Sequence, residues 1–350
     1  MAQQIPEYKV LPEIKTEEML KMFKGERTGW VLVGPKKYFF PMRFIEQGTG
    51  FYNFKARPDD TWVASYPRSG IYTGTTLTQE LVYLLSNNLD FKTAGKKLLA
   101  ERFPFLEFSL FNHPEVTCEF LQINKNDLTK QELCREIAKP GYELVSAMTS
   151  PRFIKTHFPF SMLPSGLLDI GCKVIYVARN PKDVGVSWYN LNRSIKTQGY
   201  IGDFPTFWNY FENDLTPWSP YWAHLKEAWN LKDHQNLLFL FYEEMTCDFP
   251  KAIRKVAKFL GKTYTDEEID KVANYLDIRN FRNNPMVNCS ELRACSIIEE
   301  GNFVRKGGIG GWKHMFTPEL DARADKWIEE NLKDTDLRFP FFNNNIDNNN

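Results

Sequence analysis

Four short stretches of this chain bring together cations, hydroxyls and glycines that suit anion chemistry. The first, SYPRSGIYTGTTLTQEL from Ser65 to Leu81, starts as a strand end, passes through a loop holding Gly70 and Gly74, and becomes an amphipathic helix. Small residues at such a turn let backbone N–H groups converge on an anion, and the positive end of the helix dipole favours a phosphate. Arg68, Ser69, Gly70, Gly74, Thr75 and Thr76 are therefore expected at an anion site. The second stretch ends in Lys155-Thr156-His157 and carries one of only 5 histidines. A neutral imidazole can take a proton from a hydroxyl near neutral pH, whereas lysine can do so only if its pKa is heavily depressed, so His157 is the expected base. The third, ARNPKDVGVSWYN, puts Arg179 at a strand end and Ser187 in the next helical pattern. An arginine offers phosphate a planar fork of donors and a hydroxyl adds one more. In the fourth, FVRKGGIGGWKHMF from Phe303 to Phe316, Arg305 and Lys306 precede Gly307, Gly308, Gly310 and Gly311, where backbone can approach an anion closely. Each stretch alone also fits a bland reading: an ordinary Gly-rich turn, a structural histidine, a surface ion pair, a mobile glycine loop. Their recurrence at successive strand ends argues for one site.

Hydrophobic patterning supplies the framework on which these stretches hang. TWVASY (Thr61–Tyr66), RFIKTH (Arg152–His157), CKVIYVA (Cys172–Ala178) and NLLFLFY (Asn236–Tyr242) read as strands, the last two as buried on both faces. PKDVGVSWYNLNRS, SPYWAHLKEAW and DFPKAIRKVAKFL carry helical spacing between and after them. Repeated β-α order predicts a doubly wound α/β sheet with ligands at the carboxyl ends of its strands.

Composition narrows the class. Lys plus Arg (44) equals Asp plus Glu (44), so no global field favours nucleic acid or an anionic membrane. The first residues lack a signal-peptide pattern and no apolar run reaches the length of a membrane span, which predicts a cytoplasmic protein. The 6 cysteines form no CxxC pair, arguing against a zinc site and a disulfide framework. No linker divides the chain, so one domain is expected, and the polar tail NNNIDNNN is expected to be disordered.

With these segments in order the chain resembles the cytosolic sulfotransferases, which move a sulfonate from 3'-phosphoadenosine 5'-phosphosulfate to an acceptor hydroxyl or amine. The family carries YPKSGTTW, KTHLP, RNPKDVxVS and RKGxxGDWK; this chain has YPRSG followed after an interruption by TT, then KTHFP, RNPKDVGVS and RKGGIGGWK. The resemblance implies a P-loop-like α/β domain over 59–340 with its central parallel sheet flanked by helices, an N-terminal extension over 1–58 packed on it, and a tail at 341–350. It implies that Arg179 and Ser187 hold the 3'-phosphate and that Phe303, Arg305, Lys306 and Gly307 close over the nucleotide. Tyr242 matches a residue that contacts the adenine, and Leu77 stands where the family has a tryptophan stacked on it. Lys155 would help hold the transferred group, with His157 as general base and Arg68 stabilising charge on the departing phosphate. No metal is implied. The acceptor would be a small apolar hydroxyl compound, a phenol, steroid or retinoid-like alcohol. Residues 91–148 form an enlarged segment, either a lid over the acceptor or an added helical layer. That segment and NLKDTDLRFP are most similar to the insect branch that includes retinol dehydratase, a relative that uses the same cofactor to eliminate water from retinol.

The departures bear on mechanism. Arg68 replaces the family lysine and effectively cannot release its proton, so its role is electrostatic. Gly311 replaces an aspartate. Of the family dimer motif KxxxTVxxxE only Lys313 and Thr317 remain, which leaves the oligomeric state open. Ile71–Gly74 lengthens the phosphosulfate loop, so two alternatives stand beside sulfonate transfer: dehydratase-like elimination, and a non-catalytic protein that binds adenosine bisphosphate. A P-loop kinase is disfavoured, because the loop lacks the Walker lysine before Ser/Thr. Trp62 fits packing as readily as ligand contact.

Overall fold

β-branched and aromatic residues alternating along four short segments build a parallel sheet whose two faces are both covered. In the computed structural model, which describes residues 6–70, 75–299 and 308–340, these strands are β4 (Thr61–Ala64), β5 (Phe153–Thr156), β6 (Lys173–Ala178) and β7 (Leu237–Phe241). They come after three N-terminal strands, β1 (Tyr8–Val10), β2 (Trp30–Val33) and β3 (Tyr38–Pro41), which pair antiparallel in the order β1-β2-β3. The parallel sheet has the order β5-β4-β6-β7, and every pair in it runs parallel.

Alternation divides the core. Trp62, Ala64, Ile154, Val174 and Tyr176 point into one apolar cluster, while Val63, Phe153, Ile175 and Val177 point into a second. A sheet covered on both faces must bury every residue, which is why β6 reads as a continuous apolar run. β7 corrects the expectation for its own sequence: it is an edge strand, and Leu238 and Phe239 are only half-buried. Trp62 is fully buried against Phe54, which makes it a packing residue.

The N-terminal sheet is not apparent from hydrophobic patterning. Its Trp30, Phe39 and Phe40 join the same apolar cluster as Trp62 and Tyr176, so it is packed into the main core. β2 (WVLV) and β3 (YFFP) are four-residue apolar runs buried nearly throughout, and β1 (YKV) is exposed, so none of the three shows the alternation that marks a half-buried strand.

Helix starts set the side chains at the strand ends. The helix Thr76–Ser86 begins after the loop that leaves β4 and buries ten of its residues, from Thr76 to Leu85. A helix buried on all sides cannot shift without repacking the core. Its one buried carboxylate, Glu80, pairs with Arg102 at 2.8 Å, and the Arg102 guanidinium lies over the Tyr83 ring. After β6, the Asn180 side chain accepts from the Lys182 N–H at 2.9 Å and Pro181 occupies the first turn of the helix Pro181–Ser194. A capped start with proline at the first position fixes the chain direction there, and with it Arg179.

Candidate active site

Parallel register brings the anion-suited residues to one edge of the sheet. Ala64 is paired with both Thr156 and Tyr176, and Ala178 with Phe241. Ser65, His157, Arg179 and Tyr242 each come directly after a strand's last residue.

His157 is almost fully buried. Its Nδ1 lies 2.8 Å from the Ser65 carbonyl oxygen and 3.3 Å from Ser65 Oγ. A carbonyl only accepts, so Nδ1 carries the proton and Nε2 presents its lone pair. The Phe105 and Trp218 rings stand edge-on to the imidazole at 5.0 and 5.3 Å. Burial, and secondarily the Lys155 charge, hold its pKa well below the ordinary histidine value, so the ring stays neutral at neutral pH. Lys155 sits with Nζ 4.3 Å over the Phe105 ring. Burial pushes its pKa down to about 8, Cys289 and Glu107 oppose the shift, and Arg68 reinforces it.

Arg68 and Ser187 meet at this edge, the guanidinium Nε donating to the serine hydroxyl at 2.8 Å. Arg68 has φ +69°, a left-handed conformation uncommon for an arginine. Arg179 donates from Nη1 to the Arg68 carbonyl at 3.3 Å and from Nη2 to the Gly308 carbonyl at 3.2 Å. Its guanidinium lies 4.1 Å over the Tyr242 ring. The Tyr242 hydroxyl in turn accepts the Gly308 N–H at 2.9 Å. Two buried donors at this edge, Ser69 Oγ and Arg179 Nε, have no partner among the described residues. Buried donors of this kind are ordinarily satisfied by an ordered water or a bound group.

The remaining residues of interest divide clearly. Thr75 and Thr76 lie buried where the loop enters the helix, with Thr75 Oγ1 3.4 Å from Ser65 Oγ. Gly70 is buried beside Ser69. Leu77 is fully buried in the second apolar cluster, packed with Val63 and Tyr242. Gly74, Phe303, Arg305, Lys306 and Gly307 lie outside the described residues, as do the rest of the Ile71–Gly74 insertion and the 341–350 tail. The end of the fourth motif is anchored on the site: the Asp183 carboxylate accepts the N–H groups of Gly310 at 2.9 Å and Trp312 at 3.3 Å. A Cβ added at Gly311 would meet only Asp183 Oδ1, at 3.8 Å, so glycine is not sterically required there.

The Sulfotransferase domain family matches residues 58–336. The chain belongs to the sulfotransferase family. It is 30% identical to sulfotransferase 1C2 of Rattus norvegicus over 297 residues, 84% of this chain and 90% of that protein. It is 31% identical to sulfotransferase 1E1 of Bos taurus, covering 85% of this chain and 91% of that one. Among solved structures it is similar to retinol dehydratase in a complex with retinol and PAP, with a TM-score of 0.88, 36% identity, and coverage of 96% of this chain and 100% of that one. A second structure of retinol dehydratase, with androsterone and the inactive cofactor PAP, matches with the same TM-score of 0.88 and 36% identity. Membership makes this chain an enzyme of sulfonate transfer. Among the described residues no group of His, Cys, Asp or Glu could hold a metal ion, and no helix is long and apolar enough to cross a membrane.

Several residues that organise this sulfotransferase site escape sequence reasoning. Glu107, fully buried, accepts the His157 N–H, the Thr156 hydroxyl at 3.0 Å and the Trp218 indole N–H at 3.2 Å. Burial pushes its carboxyl pKa up to about 8 against those donors. His224 donates from Nε2 to the His157 carbonyl at 2.8 Å and accepts the Tyr176 hydroxyl on Nδ1 at 2.8 Å. The Tyr221 hydroxyl donates to the Arg179 carbonyl at 2.6 Å, and Glu243 accepts the Asn180 N–H at 2.8 Å. Only Glu107 leaves a trace in the sequence: an acid inside the apolar run PFLEF must be buried with partners. The others join the site through long-range packing.

Proposed function

We propose that the chain transfers a sulfonate from 3'-phosphoadenosine 5'-phosphosulfate to the hydroxyl of a small apolar acceptor, with His157 as general base. The observation that carries this reading is the His157 imidazole: neutral, with Nδ1 committed to the Ser65 carbonyl and Nε2 free of any partner among the described residues, walled by Phe105 and Trp218. The buried, unpartnered Ser69 Oγ and Arg179 Nε fit an anionic nucleotide at the same edge. Arg179 and Ser187 would hold its 3'-phosphate. Arg68, Ser69, Gly70, Thr75 and Thr76 would hold its 5' side, with Lys155 beside the transferred group. When bound, the phosphosulfate supplies an activated sulfonate and a phosphate leaving group.

The chain's own part is then simple. His157 Nε2 would take the acceptor's hydroxyl proton as that oxygen replaces the phosphate oxygen on the sulfonate's sulfur. Lys155 and Arg68 bear the charge on the sulfonate and phosphate oxygens, because positioning and cations suffice for a group that spreads its charge. Arg68 acts by charge and hydrogen bonding alone, since a guanidinium keeps its proton. Residues 91–148 act as the acceptor's cover, a role supported by Phe105 standing against both His157 and Lys155.

Likeness to retinol dehydratase at 36% identity supports a second reading, in which an allylic alcohol, once sulfonated, loses sulfate and a proton to give the dehydrated product. One experiment addresses both. The full-length protein is incubated with labelled phosphosulfate and a panel of phenols, sterols and retinol, with adenosine 3',5'-bisphosphate binding followed by calorimetry. A sulfonated product supports the first reading and anhydro-retinol the second. Bisphosphate binding with neither product would leave only a binding module, and absence of binding would overturn the donor assignment.

A further inference from the structure

Away from the sheet edge, two thiols from distant parts of the chain share one small apolar cluster. Cys134, on the helix Leu128–Glu136, and Cys295, just after the helix Ser290–Ala294, are both fully buried there among Val116, Phe120, Ile195 and Ile297. The Cys295 thiol donates to the Lys130 carbonyl at 3.7 Å. That carbonyl is the helical partner of the Cys134 N–H, so the Cys295 sulfur lies beside the Cys134 backbone. Asn124 straddles the pair: its Nδ2 donates to the Cys295 carbonyl at 2.9 Å and reaches Cys134 Sγ at 3.9 Å. The two thiol groups also bond to each other. A disulfide needs its Cα atoms within about 7 Å and its sulfurs free to face one another, and this arrangement of neighbouring thiols meets the second condition directly.

The pair joins two segments that flank the site. The Cys134 helix belongs to residues 91–148. The residues after Cys295 are tied to the end of the helix Pro181–Ser194, the Lys196 N–H donating to the Ile297 carbonyl and the Glu299 N–H to the Ser194 carbonyl, both at 2.9 Å, and the sequence continues into the fourth motif. Phe108 packs on the same cluster and faces Phe105 at 5.9 Å, and Phe105 stands against His157 at 5.0 Å. Closely packed side chains pass a displacement on, so a covalent link at the pair is felt at the wall of the imidazole.

We infer that Cys134 and Cys295 close to a disulfide when the protein meets hydrogen peroxide, and that the bridge slows acceptor turnover by fixing residues 91–148. The effect on turnover rests on the reading of that segment as the acceptor's cover. In the first step one sulfur attacks a peroxide oxygen, the O–O bond breaks, and a sulfenic acid and water result. The second sulfur then displaces the sulfenic hydroxyl, forming the S–S bond and a second water. Each sulfur gives up one electron and the peroxide takes both, while the two thiol protons leave in the water. Burial pushes the Cys134 thiol up and the Cys295 thiol up to about 12, which keeps the pair protonated at rest. Closure therefore waits on opening of the cluster and is slower than oxidation of the exposed Cys118 and Cys247.

The full-length protein is treated with hydrogen peroxide, its remaining thiols are alkylated as it is unfolded, and its peptides are mapped without reduction. A peptide pair joined through Cys134 and Cys295, lighter by two hydrogens than its parts and separated by dithiothreitol, is expected. Acceptor turnover in the bridged protein should fall by about tenfold, the scale of a coupling between sites, and return on reduction, while bisphosphate affinity stays unchanged. Cys134→Ala and Cys295→Ala should keep their turnover through the same treatment, and Cys118→Ser and Cys247→Ser should respond as the wild type does. Oxidation of Cys118 and Cys247 with no bridge, a bridge from either thiol to Cys289 instead, or a bridge that leaves turnover unchanged would each overturn the inference. The wild-type map decides even where a variant fails to fold. Turnover by the reduced protein is a separate reading, whose absence would strike the function proposed above and not the thiol pair.

Discussion

Among single residues, the tautomer and charge of His157 decide the proposed chemistry. With Nδ1–H given to Ser65, only Nε2 can take a proton. His157→Ala should therefore lower sulfonate transfer by about 10²–10⁴-fold, the range for a positioned general base. Bisphosphate affinity should stay nearly unchanged, and full activity in that protein would require another base or an acceptor already ionised. The pH dependence is set by two depressed pKa values. Because the His157 pKa lies below 6.5, kcat/KM should hold its plateau well below pH 6.5 on the acid side. Lys155 loses its proton near pH 8 in the free enzyme, so kcat/KM should fall above about pH 8. In Lys155→Met that basic limb should vanish along with much of the rate. A basic limb unchanged in the variant would assign it to another group.

Among the secondary elements, the loops after the strands and the helix starts beyond them set the geometry. Asn180 caps the helix Pro181–Ser194 and is itself held by Glu243, so Arg179 is fixed from both sides. Asn180→Ala should cost about 0.5–2 kcal/mol of stability, as losing a cap does. It should also weaken bisphosphate binding, because Arg179 would lose its fixed direction. Paired urea unfolding and calorimetry measure the two effects, and a stability loss with unchanged affinity would separate the cap from the site. The loop after β4 carries the Ile71–Gly74 insertion. Deleting those residues restores YPRSGTTL and should tighten binding of a 5'-phosphosulfate while leaving a ligand with only a 3'-phosphate unaffected, since that group is proposed to sit on Arg179 and Ser187. Equal changes for both ligands would show that the deletion disturbs the fold.

Across the whole molecule, the His157 carbonyl is held by His224 of the helix Tyr221–Asn230, whose other ring nitrogen meets the Tyr176 hydroxyl of β6. His224, fully buried, is held neutral there, and burial pushes its pKa down to about 4. A base whose folded pKa is depressed gives its full stability above the unfolded value near 6.5 and loses it as the pH falls toward the folded value. Stability should thus decline between about pH 6.5 and 4 through this residue by roughly 3 kcal/mol. Denaturant midpoints across that range for the wild type and His224→Gln should converge at low pH. Parallel curves would place the acid sensitivity elsewhere.

The parallel sheet and the residues at its carboxyl edge are written in the linear order of the chain. The strands are short apolar runs, and Arg68, Lys155, His157, Arg179 and Ser187 each sit within about ten residues of a strand end, so local pattern carries that information. Burial of β6 is legible for the same reason. Folding in three dimensions was needed to place β7 at an edge and to make residues 8–41 a second sheet on the same core. It was needed also to bring Glu107 and His224, 50 and 67 residues from His157 along the chain, into contact with that residue. Their partners are backbone groups and rings brought together by packing, and nothing in the spacing of a linear sequence records which buried carboxylate or imidazole will meet which strand end. The tautomer of His157, on which the proposed reaction turns, has the same origin: the carbonyl of Ser65, beyond the end of the neighbouring strand, takes the Nδ1 proton only because the two strands run side by side.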